Sequence, residues 1–353
     1  MGFFSKSKNL LGLDVGSSAV KMVELRDLGK GKGYKLEAFG IEPLPAEAVV
    51  GGTIMDSGAV IAAIQKLVRD GGVKNLSAAT SVDGNSVITK RITMTAMSEA
   101  ELAEAIQWEA GQYIPFDLEE VKIDHQVLET DPATGNLNVL LVAAKRDLIA
   151  EYSSILGQAG LSPSAIDIDS FCVQNAYEIN YPIHGNEITA LVNMGASTTN
   201  ICVLKGTNPL FWRDIQAGGN NYTDTLQREM SLTFDQAEAI KKGEAIEGVR
   251  AEQAVPILNA VTEEFGAELK KTLDFFRVTT SESAIHKMVL SGGGTKVPNL
   301  DRYLSQFFGI PVEVMNPFQN ITVPEREFPV DTVNRLAPSF AVAVGLALRK
   351  MGE

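Results

Sequence analysis

Apolar residues recur at every second position in some stretches of this chain and at every third or fourth in others. The switch between the two periods divides the chain into elements. Alternation on both sides of a Gly turn predicts a hairpin in Leu13-Asp14-Val15-Gly16-Ser17-Ser18-Ala19-Val20-Lys21-Met22-Val23-Glu24-Leu25. The pattern returns without a gap in Val192-Asn193-Met194-Gly195-Ala196-Ser197-Thr198-Thr199-Asn200-Ile201-Cys202-Val203-Leu204. A third alternating strand follows each copy, at residues 34–40 and 208–213. Helical spacing of Val60, Ile61, Ile64, Leu67 and Val68 predicts a helix over 57–69, with Ser57 able to cap it and Gly71-Gly72 to end it.

Between the two copies the order changes to strand, helix, strand, strand. Residues 86–94 alternate, and Ser98-Glu99-Ala100-Glu101 is a capping box for a helix running through Trp108 toward Tyr113, where Pro115 stops it. Strands over 122–129 and 137–144 flank the turn at 131–135, and a helix over 147–158 closes this inserted module. Later, residues 234–242 and 252–276 read as helices, the longer one with Leu258, Val261, Phe265, Leu269, Leu273 and Phe276 on one face. A strand at 287–290 runs into Ser291-Gly292-Gly293-Gly294-Thr295, and a helix over 300–308 follows. Residues 338–348 form a helix of small and apolar residues, suited to close packing between domains and too short to span a bilayer.

Composition narrows the function classes. The 353 residues suffice for two domains, with 45% hydrophobic and 21% charged residues as in soluble globular proteins. A net charge of −13 argues against nucleic acid or an anionic lipid surface as the main partner. Lys6-Ser7-Lys8 beside Phe3-Phe4 is a basic patch too short to anchor the chain. The absence of a long apolar run and of a signal peptide predicts a cytosolic location. Cys172 and Cys202 read as reduced core residues, and His125, His184 and His286 have no metal spacing.

The repeated hairpin carries the candidate chemistry. Each copy has an acceptor two residues before its Gly (Asp14, Asn193) and small polar residues after it. Turn N–H groups and hydroxyls suit phosphate oxygens, and a carboxylate suits the water shell of Mg²⁺. The competing reading is that Asp-x-Gly-Ser turns occur wherever two strands reverse. Gly292, Gly293, Gly294 and Thr295 occupy a strand-to-helix turn where a ligand can lie against bare backbone, or where glycines only supply flexibility.

As an ordered set these motifs resemble the actin, Hsp70 and sugar kinase ATPase superfamily: an α/β fold of two duplicated mixed-sheet domains around a nucleotide cleft. The strand-helix-strand-strand (SHS2) insert resembles the FtsA-like branch. Within it, Asp14 to Lys21, with Gln107-Trp108-Glu109-Ala110 and Tyr113-Ile114-Pro115-Phe116, resembles the PilM family of cytoplasmic type IV pilus assembly proteins. The resemblance implies a first subdomain at 1–80, completed by 161–180 and 337–353, the insert at 81–160, and a second domain split into 181–230 with 285–336 and 231–284.

It also implies ATP and Mg²⁺. Asp14 would hold the metal through water, while Gly16, Ser17, Ser18 and Lys21 contact phosphates. Asn193, Gly195, Ala196, Ser197 and Thr198 would complete the clamp, with Gly218 and Gly219 beside the ribose. Glu238 and Lys241 would bracket ribose and adenine, unless they are a surface ion pair three residues apart. Asn193 stands where the superfamily usually has Asp, which implies slow hydrolysis or none; no residue is assigned as catalytic.

The implied partner is the cytoplasmic N-terminal segment of the inner-membrane protein PilN, with other pilus inner-membrane and motor proteins. Membrane contact would be indirect, without nucleic acid, and self-association stays open. Ile92, Trp108, Tyr113 and Phe116 are groove candidates with core packing as the competing reading. An FtsA-like filament-forming membrane scaffold is the alternative. The ending at Arg349-Lys350-Met351-Gly352-Glu353, without an amphipathic tail, disfavours it.

Overall fold

The computed structural model describes residues 9–83, 86–247, 249–280, 282 and 284–350. The Phe3-Phe4 and Lys6-Ser7-Lys8 patch and the ending Met351-Gly352-Glu353 lie outside them.

The first sheet begins as an antiparallel meander of β1 (Leu11–Val15), β2 (Ala19–Asp27) and β3 (Tyr34–Pro43). A short ribbon of β4 (Val49–Val50) and β5 (Thr53–Ile54) leads into α1 (Ser57–Asp70). β6 (Ser77–Val82) then lies parallel to β1. The chain leaves this sheet for β7 (Val87–Met94), α2 (Glu99–Ala110), β8 (Val121–Thr130) and β9 (Leu137–Lys145), which pair in the order β7-β9-β8. It returns through α3 (Arg146–Gln158), β10 (Ser162–Ile168), parallel to β6, and α4 (Asp169–Asn180).

A second meander follows in β11 (Ile188–Met194), β12 (Thr199–Lys205) and β13 (Asn208–Ile215). After α5 (Gly219–Met230), α6 (Phe234–Lys241) and α7 (Ala251–Thr279), β14 (Lys287–Ser291) adds parallel to β11. α8 (Leu300–Phe308) leads to β15 (Val312–Val314), parallel to β14. β16 (Ile321–Thr322) crosses back to β3, and α9 (Val330–Leu336) and α10 (Ala341–Ala347) are the last helices among the described residues. The strand orders β10-β6-β1-β2-β3-β16 and β13-β12-β11-β14-β15 repeat one plan. Each is a meander with two parallel strands added beside its first strand. The duplication visible in the hairpins therefore extends to the sheets.

Burial defines the layers. The outer face of the first sheet packs Leu11, Leu13, Val20 and Met22 against Ile64 of α1 and Tyr152 and Leu156 of α3. The outer face of the second packs Val192 and Val203 against Phe265, Leu269 and Phe276 of α7. The inner faces share one core around α4 and α10: Val23 and Leu36 on one side, Leu191 and Cys202 on the other. Two close approaches explain the small residues of α10. A Cβ on Gly12 would lie 2.2 Å from the Ala343 carbonyl oxygen, and one on Gly345 would lie 1.9 Å from that of Cys172. Larger residues would force the central helices off the sheets.

The inserted module has a separate core of Ile92, Leu102, Ile106, Val121, Val139 and Leu141. Helix α3, assigned to the module on sequence, packs in the first lobe instead, because Leu148, Tyr152, Ile155 and Leu156 face α1 and the sheet. Two boundaries also move. Asp56, not Ser57, caps α1, accepting from the Ala59 N–H at 2.9 Å. α2 ends at Ala110, with Gly111 as C-cap, so the helix stops before Tyr113 and Pro115. Both cysteines are buried and unpaired.

Candidate functional site

The two hairpin turns face each other across the cleft between the sheets and bound a cavity of about 60 Å³. In the first hairpin Asp14 and Lys21 are directly cross-strand, so their side chains emerge together, and Lys21 Nζ donates to Asp14 Oδ2 at 3.0 Å. The Gly16 N–H closes the turn onto the Ala19 carbonyl at 3.1 Å. The Gly16 N–H is thereby committed within the turn, while Ser17 and Ser18 line the cavity. A Cβ on Gly16 would come within 3.0 Å of Lys21 Nζ, so a larger residue would displace the ammonium.

The second hairpin has the same frame and different chemistry. Asn193 and Asn200 occupy the cross-strand pair, and the Gly195 N–H closes the turn onto the Thr198 carbonyl at 2.9 Å. The Ser291 hydroxyl donates to Asn193 Oδ1 (3.1 Å), Asn193 Nδ2 to Asn200 Oδ1 (3.0 Å) and Asn200 Nδ2 to Asp214 Oδ1 (3.0 Å). A carboxylate at the end of this chain accepts only, so it fixes the direction of every bond. Ser197 accepts from Asn220 Nδ2 at 3.1 Å, and Thr198 is buried at the turn. Ala196 and Gly195 present their carbonyls to α5, taking the N–H groups of Asn220 (2.8 Å) and Gly219 (3.0 Å). Gly218 fits because a Cβ there would lie 2.6 Å from the Ala196 carbonyl oxygen. Gly218 and Gly219 thus buttress the second hairpin.

The glycine-rich turn divides by role. Gly292, at φ +90°, donates to the Pro338 carbonyl at 2.7 Å, and a Cβ on it would meet the Met194 carbonyl oxygen at 2.2 Å. Gly294 is equally closed off by the Met194 side chain, and the Thr295 hydroxyl turns back to the Gly292 carbonyl at 2.8 Å. Only Gly292 and Gly293 of this group line the cavity. Glu238 and Lys241 form a cluster in which Lys241 is buried and Glu238 partly buried, rather than a surface ion pair. Lys241 Nζ contacts Glu238, the Thr223 hydroxyl at 2.9 Å and the Gly219 carbonyl at 3.2 Å. Burial holds the Lys241 ammonium below its ordinary pKa. Burial also raises Glu238, but Lys241, the Thr223 hydroxyl and Lys242 outweigh it and bring that carboxyl below its usual range.

Two further sets of charges escaped the sequence reading. Lys296 titrates low through burial and through repulsion by Lys242, Arg335 and Lys21. Lys21 places positive charge at the cavity in a chain of net charge −13. Opposing it are acids beside Asp14. Asp83 is pushed up to about 6 by burial and by Asp214 and Asp14, against a hydrogen bond from Asn200. Asp169, at the start of α4, is raised by burial and by Asp83 and Asp14. Their sequence neighbours give no motif, and only the return of β6, α4 and β13 to one cleft brings them together. Among the described residues no group of three or more His, Cys, Asp and Glu could hold a metal directly. Asp14, Asp83 and Asp169 all line the cavity, which fits a hydrated cation held through water. Ser339, also lining it, has a buried hydroxyl without a partner among the described residues.

The partner candidates separate by exposure. Trp108 is 85% exposed and Tyr113 39%, both just where α2 gives way to a turn on the module. Ile92, at 4% exposure, belongs to the module's core, and Phe116 packs against that core with Lys145 Nζ 4.6 Å from its ring centre. Alternation along β7 turns Ile92 inward, so it presents no surface to a partner. No helix among the described residues is long and apolar enough to cross a membrane.

The model of the family described as type IV pilus assembly protein PilM matches residues 12–351. Among solved structures, the chain is similar to one described as a PilM-PilN type IV pilus biogenesis complex. The identity is 26% and the TM-score 0.86, over 99% of this chain and 100% of that chain. It is also similar to the ethanolamine utilization protein EutJ from Carboxydothermus hydrogenoformans, at 16% identity and TM-score 0.57, over 97% and 90% of the two chains. The mixed sheets, two lobes and cleft are those of the actin-like ATPase fold.

Proposed function

Because this chain belongs to the PilM family of type IV pilus assembly proteins, we propose that it is a nucleotide-loaded adaptor. It binds the cytoplasmic N-terminal segment of PilN and links it to the pilus motor at the inner face of the inner membrane. The observation that carries the reading is the full-length similarity to a protein solved in a PilM-PilN complex. Attachment to the membrane then runs through the partner, in keeping with the acidic chain and the lack of a spanning helix among the described residues.

The nucleotide is ATP with Mg²⁺. Ser17 and Ser18 from one lobe and Ser197 and Thr198 from the other offer hydroxyls and turn N–H groups to the phosphates, and Lys21 adds its charge. Asp14 holds the metal's water shell, and Glu238 with Lys241 lies at the nucleoside end, where Lys241 Nζ donates to the Gly219 carbonyl. Bound Mg²⁺ supplies neutralisation of phosphate charge. The amide of Asn193, locked between Ser291 and Asn200, adds no negative charge opposite Asp14. This supports retention of ATP rather than rapid turnover.

Exposed Trp108 and Tyr113 support the module as the peptide-binding face, since a large exposed aromatic on a separately packed unit is a common interface anchor. Titration of the protein with a synthetic peptide of the PilN cytoplasmic N-terminus, with and without ATP-Mg²⁺, tests the reading, with lipid vesicles as a parallel ligand. Saturable peptide binding without vesicle binding is expected. Trp108→Ala or Tyr113→Ala should weaken it by about tenfold or more while leaving the fold intact. Vesicle binding without peptide binding would overturn the adaptor.

A further inference from the structure

Ser339 is 5% exposed, and its Oγ has no hydrogen-bond partner among the described residues. A buried hydroxyl left unsatisfied is a cost to the free protein, and native structures keep few of them. Its position suggests what would satisfy it. Ser339 belongs to the 3-10 turn Ala337–Phe340, immediately ahead of α10. The preceding carbonyl, of Pro338, accepts from the Gly292 N–H at 2.7 Å, so the turn is tied to the end of the second sheet. A Cβ on Gly293 would lie 3.8 Å from Ser339 Oγ, which places the hydroxyl over bare backbone with no side chain in the way.

Ser339 lines the same cavity as Ser17 and Ser18 of one hairpin and Thr198 of the other. Glu238 and Lys241 do not line it, so the cavity is the phosphate end of the cleft rather than the nucleoside end. We propose that the Ser339 hydroxyl donates a hydrogen bond to a phosphate oxygen of the bound nucleotide, making the turn ahead of α10 a third phosphate contact beside the two hairpins. This rests on the nucleotide reading above and assigns a residue that the paired motifs do not contain. It has a conformational meaning. α10 packs between the sheets, against Gly12 and Cys172, so a ligand held by Ser339 bears directly on the element shared by both lobes.

Ser339→Ala and Ser339→Cys test this through two readouts. The thermal midpoint of the nucleotide-free Ala variant should equal or exceed that of the unsubstituted protein, because the substitution removes an unsatisfied polar group. Calorimetric titration should show ATP and ADP binding about tenfold more weakly, with adenosine affinity unchanged and the ATP-induced rise in midpoint reduced. The Cys variant, a weaker donor of similar shape, should shift affinity the same way. Unchanged ATP affinity in both variants, or an equal loss for adenosine, would overturn the assignment. Absence of ATP binding by the unsubstituted protein would instead overturn the nucleotide reading itself, and this contact with it.

Discussion

The two hairpins share register, turn closure and sheet position, yet one is held by a salt bridge and the other by a neutral relay. Asp14 and Lys21 form an ion pair where Asn193 and Asn200 form an amide pair. The second lobe keeps its acid one strand further out, at Asp214, where the register pairs it with Asn200. The corresponding partner of Lys21 is Ile41, on β3. Duplication thus preserved the backbone of the two turns and let the charges diverge. The consequence is that the charged side chains lining the cavity, Asp14, Lys21, Asp83 and Asp169, belong to the first lobe, while the second hairpin lines it with amides, a hydroxyl and backbone.

Three substitutions sharpen or break that comparison. Asp14→Ala should have the largest effect, weakening Mg²⁺-dependent ATP binding by about 100-fold with the fold intact. Calorimetry with and without Mg²⁺ reads it, and an unchanged affinity would remove the first hairpin from the site. Asn193→Asp makes the second copy resemble the first, but removes the donor to Asn200 Oδ1 and sets a carboxylate against that oxygen. Asn200 cannot turn its amide over without losing Asp214. The variant should lose about 2 kcal/mol of stability in denaturant titration. Any gain in hydrolysis, measured as phosphate release, would show that the missing charge limits turnover.

Asp83→Asn should have the smallest effect. Because the Asp83 carboxyl sits at about 6 in the fold, against the ordinary carboxylate value unfolded, the native state binds its proton more tightly. That contribution to stability is full below the unfolded value and is lost as pH rises through about 6. The substitution should therefore stabilise the nucleotide-free protein by about 1 kcal/mol at pH 7 and flatten its stability between pH 4 and pH 6. A variant with the same pH profile would place the burial and repulsion elsewhere.

Legibility followed physical signal. The meanders, α7 and the capping box at Ser98 announce themselves through period or local hydrogen bonding. β6 does not: Ser77-Ala78-Ala79-Thr80-Ser81-Val82 has small, weakly apolar side chains, although all but its first residue are buried in a strand held between two others. α5 is polar along most of its length and starts with glycine, so little marks it before its Tyr222 and Leu226 meet the core. Asp83 and Asp214 follow or end strands and form no motif with Asp14. Exposure, which separates Trp108 from Ile92, depends on which face of the module is covered.

What the sequence by itself determined is the repeat, and with it two matching sheets and two turns of the right chemistry. Those follow from periodicity, glycine placement and hydrogen-bonding residues within a few positions of one another. Only the tertiary structure decided which charges share the cleft, that Lys241 is buried, that α3 packs in the first lobe, and that the Ser339 hydroxyl has no partner among the described residues. Each depends on surfaces joined from remote segments. Burial and electrostatic fields are properties of that joining, and no local pattern encodes them.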